Sequence, residues 1–390
     1  MTKNTRFCIL ITKIKRNGGI NLLNKLKYIL DIGSSSLRLL AVAKYAGKQR
    51  IVAEDNVLYD GYMDGEFLNV DELGNDLGRL IDEMVLKTKK PVTSLFVGVP
   101  SEFCICVCKR ISRKYVGLHK VTDCDIRSLY QNNANFGGSE EYSLISYSPM
   151  QCMLDGDFKT LNPVGKKTTS LTLDASYILA KNSFINLIKE KLKNLKIDNV
   201  EFVSTALGQA LTCEPERNEK KPIAIIDVGH ISTSVCVYKG EGLALLTSFA
   251  VGGGHISSDL MQVLGLNFKS AELVKRKVIL TIESKKNEYY EVCYKGNLIK
   301  APINMTNQVV KSRIESMAKI IKDILSIDEI FNGIDIYLTG DGISNFKGVK
   351  NIIKDITGLD VYDYKIPFNS SYDKFQTSKI GLAALVEKMV

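Results

Sequence analysis

Two turns built on one plan, about half the chain apart, restrict what this sequence can fold into more than any other feature. Asp31-Ile-Gly-Ser-Ser-Ser36 follows the apolar run Tyr28-Ile-Leu30, and Asp227-Val-Gly-His-Ile-Ser-Thr-Ser234 follows Ile223-Ala-Ile-Ile226. Each reads as a strand that ends on Asp, turns at Gly and passes small hydroxyl residues into a second apolar strand, over 37–43 and 235–238. That is a strand–turn–strand hairpin, unlike the strand–turn–helix of the common mononucleotide and dinucleotide sites. Repetition at this spacing predicts a duplicated domain.

The chemistry of such a turn is specific. Successive backbone N–H groups around a Gly form a concavity suited to phosphate oxygens, and the Asp carboxylate can hold a hydrated divalent cation beside it. Two such hairpins facing each other would grip the phosphate tail of a nucleotide from both sides.

At 390 residues the chain is too long for one core and predicts two or three domains. The formal net charge of +9 is unevenly placed: residues 1–27 carry seven Lys and Arg and no acid, leaving a nearly neutral body. A basic surface for nucleic acid is therefore expected at most in that segment, and no nucleic-acid partner is expected. The same segment, with Ile20, Leu22, Leu23 and Leu26 among Asn and Lys, also has the make-up of a short basic amphipathic helix on an anionic membrane. Nine cysteines, an odd number in a long chain, point to a reducing compartment and not to a disulfide framework. Cys104, Cys106 and Cys108 alternate with Ile105 and Val107, so they share one face of a strand, where buried or half-buried thiols act as small hydrophobes. No apolar run approaches the roughly 20 residues that span a bilayer.

Periodicity predicts further elements. Helices are expected over 70–86, 123–130, 183–195, 206–211, 255–264, 308–325 and 346–356, and strands over 51–58, 94–99, 171–179, 244–251, 278–282, 289–294 and 334–338. Gly252-Gly253-Gly254 is expected as a turn, Gly137-Gly138-Ser139 as a loop, and 214–221 as a charged loop. The stretch 100–170 reads as a small α+β insert.

The strand over 334–338 ends in Thr339-Gly-Asp-Gly342 and leads to a helix. Two Asp-X-Gly hairpins and this third turn, in this order, resemble the actin-like ATPase superfamily. Within it the sequence is most similar to the bacterial cell-division family FtsA. The likeness rests on Leu161-Asn-Pro-Val-Gly165, Phe249-Ala-Val-Gly-Gly-Gly-His-Ile256, Ser270-Ala-Glu-Leu-Val-Lys275 and Thr377-Ser-Lys-Ile-Gly-Leu-Ala-Ala384, and on an insert in the first half.

The resemblance implies an α/β actin-like ATPase fold, with two duplicated α/β domains, a nucleotide cleft between them and a small α+β insert in the first half. It divides the chain into a basic extension (1–27), a first domain (28–99 and 171–205), its insert (100–170), a second domain (206–267 and 334–390) and an insert in the second half (268–333). It implies ATP and Mg2+ as cofactors. Asp31, Gly33, Ser34 and Ser35 would cradle phosphate opposite Asp227 and Gly229, with Asp31 and Asp227 near the metal. Glu272 and Lys275 would approach ribose and base, and Gly340, Asp341 and Gly342 the adenosine. It also implies docking of the C-terminal tail of FtsZ on 268–333, self-association into dimers or filaments, and a cytoplasmic protein peripheral at the inner face of the cell membrane. The alternative is a PilM-type scaffold of a type IV pilus assembly complex.

Departures from the family pattern bear on catalysis. His230 and Ile231 stand where the family has glycines, Ser36 stands where many members have Lys, and no carboxylate lies near 203–206 to orient water. Slow or absent turnover is expected. The family runs on past the position of Ala384 to an amphipathic membrane helix, whereas this sequence ends at Val390, so the expectation is that the anchor is lost, that a partner supplies it, or that the basic N-terminal segment has taken the role.

Overall fold

Strand Lys27–Ile32 pairs antiparallel with Ser36–Tyr45, in a register that sets Asp31 opposite Arg38, and Ser36–Tyr45 pairs antiparallel with Lys48–Leu58. On its other side Lys27–Ile32 pairs parallel with Ser94–Val99, which pairs parallel with Asn199–Ser204. The second half repeats this plan. Ile223–Val228 pairs antiparallel with Thr233–Lys239 and that strand with Gly242–Phe249, while Asp335–Thr339 and then Val361–Asp363 add in parallel on the opposite side. The two five-stranded sheets share order and direction, so each hairpin is the centre of its own α/β unit. The computed structural model from which this is read describes residues 26–45, 48–136, 140–213, 221–282, 287–343, 345–366 and 377–389. The basic segment over 1–25, the loop at 137–139 and the charged loop over 214–220 lie outside the described residues.

Parallel neighbours need crossovers, and helices supply them. Val70–Thr88 crosses from Lys48–Leu58 to Ser94–Val99 and buries Leu73, Leu77, Leu80 and Met84 at i, i+4, i+7, i+11 spacing. The Asn69 side chain caps it by accepting from the Glu72 N–H. Burying each of those side chains stabilises the fold by roughly 1.5–3 kcal/mol, more than the exposed charges on the other face contribute.

The insert is a four-stranded sheet, ordered Cys104–Lys120, Lys167–Lys181, Tyr142–Leu154 and Phe158–Thr160, with helix Asp123–Asn132 against it. Strand Lys167–Lys181 runs through the boundary expected at 170. Its Leu171, Leu173, Ala175, Tyr177 and Leu179 enter the insert's core, while Ile178 and Ala180 enter the core of the first sheet. The period-two alternation of one long strand thus ties insert to domain.

Several expectations are corrected. Gly253 and Gly254 are not a turn; they open helix Gly253–Leu264, and Gly252 is its N-cap. Residues 278–282 form no strand: only Ile279 bridges, to Lys347. The long helix begins at Ile303, ahead of the expected 308, because Pro302 can precede a helix start without losing a needed N–H. The helix expected from 346 begins at Val349, after Gly348 at φ +97°. Among the three alternating cysteines Cys104 is buried and Cys106 half-buried, but Cys108 is exposed.

Helices Thr205–Thr212 and Thr377–Lys388 cross at the seam between the two halves. A Cβ on Gly381 would lie 2.5 Å from the Gln209 nitrogen, and one on Gly208 would lie 2.7 Å from the Gly381 carbonyl. Only paired glycines allow backbones this close.

Candidate functional site: a cleft between two matched turns

The two turns are near copies in detail. The Gly33 N–H donates to Ser36 O and the Gly229 N–H to Ser232 O, both at 2.9 Å. Neither glycine has positive φ, and neither do His230 and Ile231 among the described residues, so the second turn carries its non-glycine residues without backbone strain. The requirement at Gly33 and Gly229 is room: an added Cβ would sit 3.2 and 3.1 Å from the turn's own carbonyl.

Other glycines hold the second turn from behind. Its three successive carbonyls, of Val228, Gly229 and His230, accept from the N–H groups of Gly342, Gly253 and Gly254 at 2.9, 2.9 and 2.7 Å. The first N–H groups of helix Gly253–Leu264, which have no partner within the helix, are thereby satisfied. Gly342 and Gly253 touch, since a Cβ on Gly253 would meet the Gly342 Cα at 2.5 Å. The third turn, the Gly-rich helix start and the second hairpin form one tightly packed block.

Between the hairpins lies a polar cleft with a cavity of about 120 Å³. Asp31, Gly33, Ser34, Ser35, Asp227, Gly229, Gly340 and Asp341 all line it, together with Arg38, Glu102, Thr205, Gln209, His230, Thr377 and Ser378. Asp31 is 2% exposed; its Oδ2 accepts from Ser378 Oγ at 2.7 Å and from Arg38 Nη1 at 3.3 Å. Asp227 Oδ2 accepts from Gln209 Nε2 at 2.6 Å, and the same amide donates to Thr377 Oγ1 at 3.0 Å. Burial pushes the Asp227 carboxyl up to about 6; the Gln209 hydrogen bond opposes this, and the nearby charges of Asp341 and Asp31 add to it. Thr377 Oγ1 also lies 2.8 Å from Thr339 Oγ1, so the start of the last helix links both hairpins and the third turn.

Gly342, Glu272 and Lys275 stand outside this cavity. Lys275, 5% exposed, donates to Glu272 Oε1 at 2.5 Å and to Gly253 O at 2.9 Å, and Ser257 Oγ donates to the same carboxylate. Burial alone would raise the Glu272 carboxyl, but the Lys275 ammonium holds it below its usual range. His230 connects this network to the cleft. Its ring lies edge-on to Phe268 at 6.0 Å, and its Nε2 is 2.9 Å from where a Gly254 Cβ would be. Burial depresses its basicity, which favours the neutral imidazole.

Sequence reasoning missed Arg38, Gln209, Thr377, Ser378 and Glu102 as cleft residues. The Thr377 motif was in view as part of the family likeness, yet nothing in its spacing tells that Ser378 meets Asp31 across 347 positions. Glu102, whose Oε1 accepts from the Gly65 N–H, follows an ordinary buried strand and carries no local signal.

The chemistry of the wall fits the phosphate end of a nucleotide: hydroxyls from both turns, one guanidinium, and a buried Thr205 hydroxyl with no hydrogen-bond partner. Asp31 and Asp227 are the residues that could hold a hydrated divalent cation, whose charge would offset the cost of ionising the buried Asp227 carboxyl. The volume is phosphate-sized and below the roughly 300–1,000 Å³ of sites that enclose whole ligands.

Duplicated sheets, each led by an Asp-X-Gly hairpin and facing across one cleft, define a protein of the actin-like ATPase fold. Solved structures agree: the PilM-PilN type IV pilus biogenesis complex matches with a TM-score of 0.58 at 14% identity, covering 93% of this chain and 98% of that one. MreB 5 of Spiroplasma citri bound to AMPPNP matches at 0.55 and 12% identity, covering 94% and 97%. A family model described as cell division protein FtsA matches residues 224–377. FtsA of Bacillus subtilis is 22% identical over 348 residues, 85% of this chain and 77% of that protein, and FtsA of Enterococcus hirae is 23% identical over 344 residues, 86% and 77%. Within the fold, the chain is similar to the cell-division protein FtsA over about 85% of its length, at low identity.

Proposed function

We propose that this chain is an adaptor of the FtsA type that binds ATP with slow or no hydrolysis, self-associates, and links FtsZ to the division machinery at the inner face of the cell membrane. The observation that carries the nucleotide part is the pair of matched turns facing one hydroxyl-lined cleft. Ser34, Ser35 and the second turn would hold the phosphates, and Asp31 and Asp227 the Mg2+, which would screen phosphate charge. Glu272 and Lys275, which lie near His230, would face the nucleoside. Helix Thr205–Thr212 contributes no carboxylate, and Gln209 is engaged by Asp227 and Thr377, which supports weak turnover.

The FtsZ part is supported by a groove of about 510 Å³ between helices Gly253–Leu264 and Ile303–Leu325. Val263 and Met305 offer exposed apolar surface there, and Arg313 lies among them, bound to Asp259 at 2.7 and 2.8 Å. An extended tail mixing acidic and apolar residues suits that lining. No helix of the described residues is long and apolar enough to cross a membrane.

The test has two arms on the full chain. A fluorescent ATP analogue should bind, more tightly with Mg2+ than without; no binding at high protein concentration reduces the protein to a scaffold. Immobilised FtsZ tail peptide should retain the chain, and retention only by the N-terminal peptide of a pilus membrane protein turns the reading to the PilM type.

A further inference from the structure

Strand Cys104–Lys120 follows its partner Lys167–Lys181 as far as Lys114 opposite Ser170, and the pairing resumes with His119 opposite Thr168. Thr169 alone bridges that interval on one strand, whereas Tyr115, Val116, Gly117 and Leu118 bridge it on the other. The excess must leave the ladder as a bulge. Gly117 takes φ +79°, with open space where a Cβ would be, so the backbone turns outward there. Val116 is fully exposed and Leu118 is 67% exposed. The base of the bulge is held: the Tyr115 ring stacks on His119 at 4.2 Å, and the Arg113 guanidinium lies 5.5 Å from the Tyr115 ring.

Charge surrounds this apolar tip. Lys114 and Lys120 flank it in sequence, and Lys120 stands directly opposite Lys167 in the ladder. Like charges in directly opposed positions are destabilising unless something anionic meets them. Of the carboxylates on neighbouring elements, Asp125 is taken by His119 and Thr122 and Asp155 by Thr169 and Ser170, while Asp123 and Asp157 are exposed. Aliphatic side chains outermost and ammonium groups behind them follow the depth order of a bilayer surface, with hydrocarbon inside and anionic headgroups above. A wholly acidic peptide would meet the lysines but leave Val116 and Leu118 in water.

We propose that the bulge over 115–118 is a membrane-contact tip, placing Val116 and Leu118 among the headgroups of an anionic bilayer while Lys114, Lys120 and Lys167 meet lipid phosphates. This deepens, and rests on, the peripheral-membrane part of the proposed function. One small tip binds weakly, so attachment would depend on several copies acting together.

The full chain is centrifuged with vesicles of phosphatidylcholine alone and of phosphatidylcholine with phosphatidylglycerol. The wild type is expected to pellet with the anionic vesicles, V116D/L118D to partition at least about tenfold less, and K114E/K120E to lose the preference for phosphatidylglycerol. Circular dichroism and the thermal midpoint should stay unchanged, since all four side chains are exposed. Undiminished binding by V116D/L118D overturns the tip but leaves the membrane role, whose contact then lies elsewhere, as a deletion of 1–26 would show. No pelleting of the wild type overturns both. If V116D/L118D alters only self-association, measured by sedimentation velocity without lipid, the bulge is a contact between copies and the proposal fails.

Discussion

Ser34 Oγ accepts a hydrogen bond from the Ile231 N–H at 3.2 Å, joining the first turn directly to the second across 197 positions of sequence. Gly61 lies beside the same junction: a Cβ there would sit 2.0 Å from the Ser34 carbonyl oxygen and 3.6 Å from Ile231 Cδ1. The protein's own hydroxyl thus bridges the two hairpins at one side of the cleft.

Ser34→Ala removes that acceptor and leaves the Ile231 amide without it. The loss of one such hydrogen bond amounts to about 1 kcal/mol, so hydrogen exchange at Ile231 should quicken by roughly fivefold. Amides of the outer strand Lys48–Leu58 should be unaffected, and equal acceleration at both places would show that the variant loosens the whole domain instead.

Gly381→Ala should be among the most damaging small substitutions. Its methyl would meet the backbone of Gly208 and Gln209 at 2.5 Å, with no flexible side chain to yield. A loss of about 2 kcal/mol or more is expected in urea unfolding. Gly358→Ala, where nothing lies within 4 Å but φ is +75°, should cost only the local backbone strain.

Asp125 should make the insert sensitive to acid. Burial alone would raise its carboxyl, but hydrogen bonds from His119 and from the Thr122 hydroxyl and amide outweigh that and bring it down to about 2. A folded pKa below the unfolded value means the unfolded chain binds more protons, so stability is present above about pH 4 and is lost as pH falls toward 2. Asp125→Asn, which also disrupts the capping box of helix Asp123–Asn132, should cost about 1 kcal/mol at pH 7. The difference between variant and wild type should shrink in denaturation curves taken near pH 2.

If an acidic tail takes the groove between helices Gly253–Leu264 and Ile303–Leu325 by competing with Asp259 for Arg313, Arg313→Glu should repel it. At least about a tenfold loss of affinity for FtsZ tail peptide is expected by fluorescence anisotropy. Nucleotide binding should be unchanged, because Arg313 does not line the cleft.

Both hairpins, most helices and the duplicated plan were legible in the residues, because alternation and 3.6-residue spacing are local consequences of which face is buried. The failures are equally physical. Gly253-Gly254 reads as a turn by composition, yet opens a helix because the carbonyls of Gly229 and His230 accept its first N–H groups. The stretch 278–282 has strand-like side chains but makes only a single bridge, at Ile279. His230 and Ile231 stand where the family has glycines, and only the structure tells that the turn there asks for no positive φ.

What the order of residues settled was the fold, since two Asp-X-Gly hairpins half the chain apart, followed by the third turn at Gly340, resemble one superfamily of duplicated α/β domains. It could not tell how the cleft between them is closed. Ser34 with Ile231, Ser378 with Asp31, and Gln209 with both Asp227 and Thr377 are contacts between segments from 18 to 347 positions apart. Such contacts depend on how whole sheets and helices pack, and no local pattern of side chains encodes that geometry.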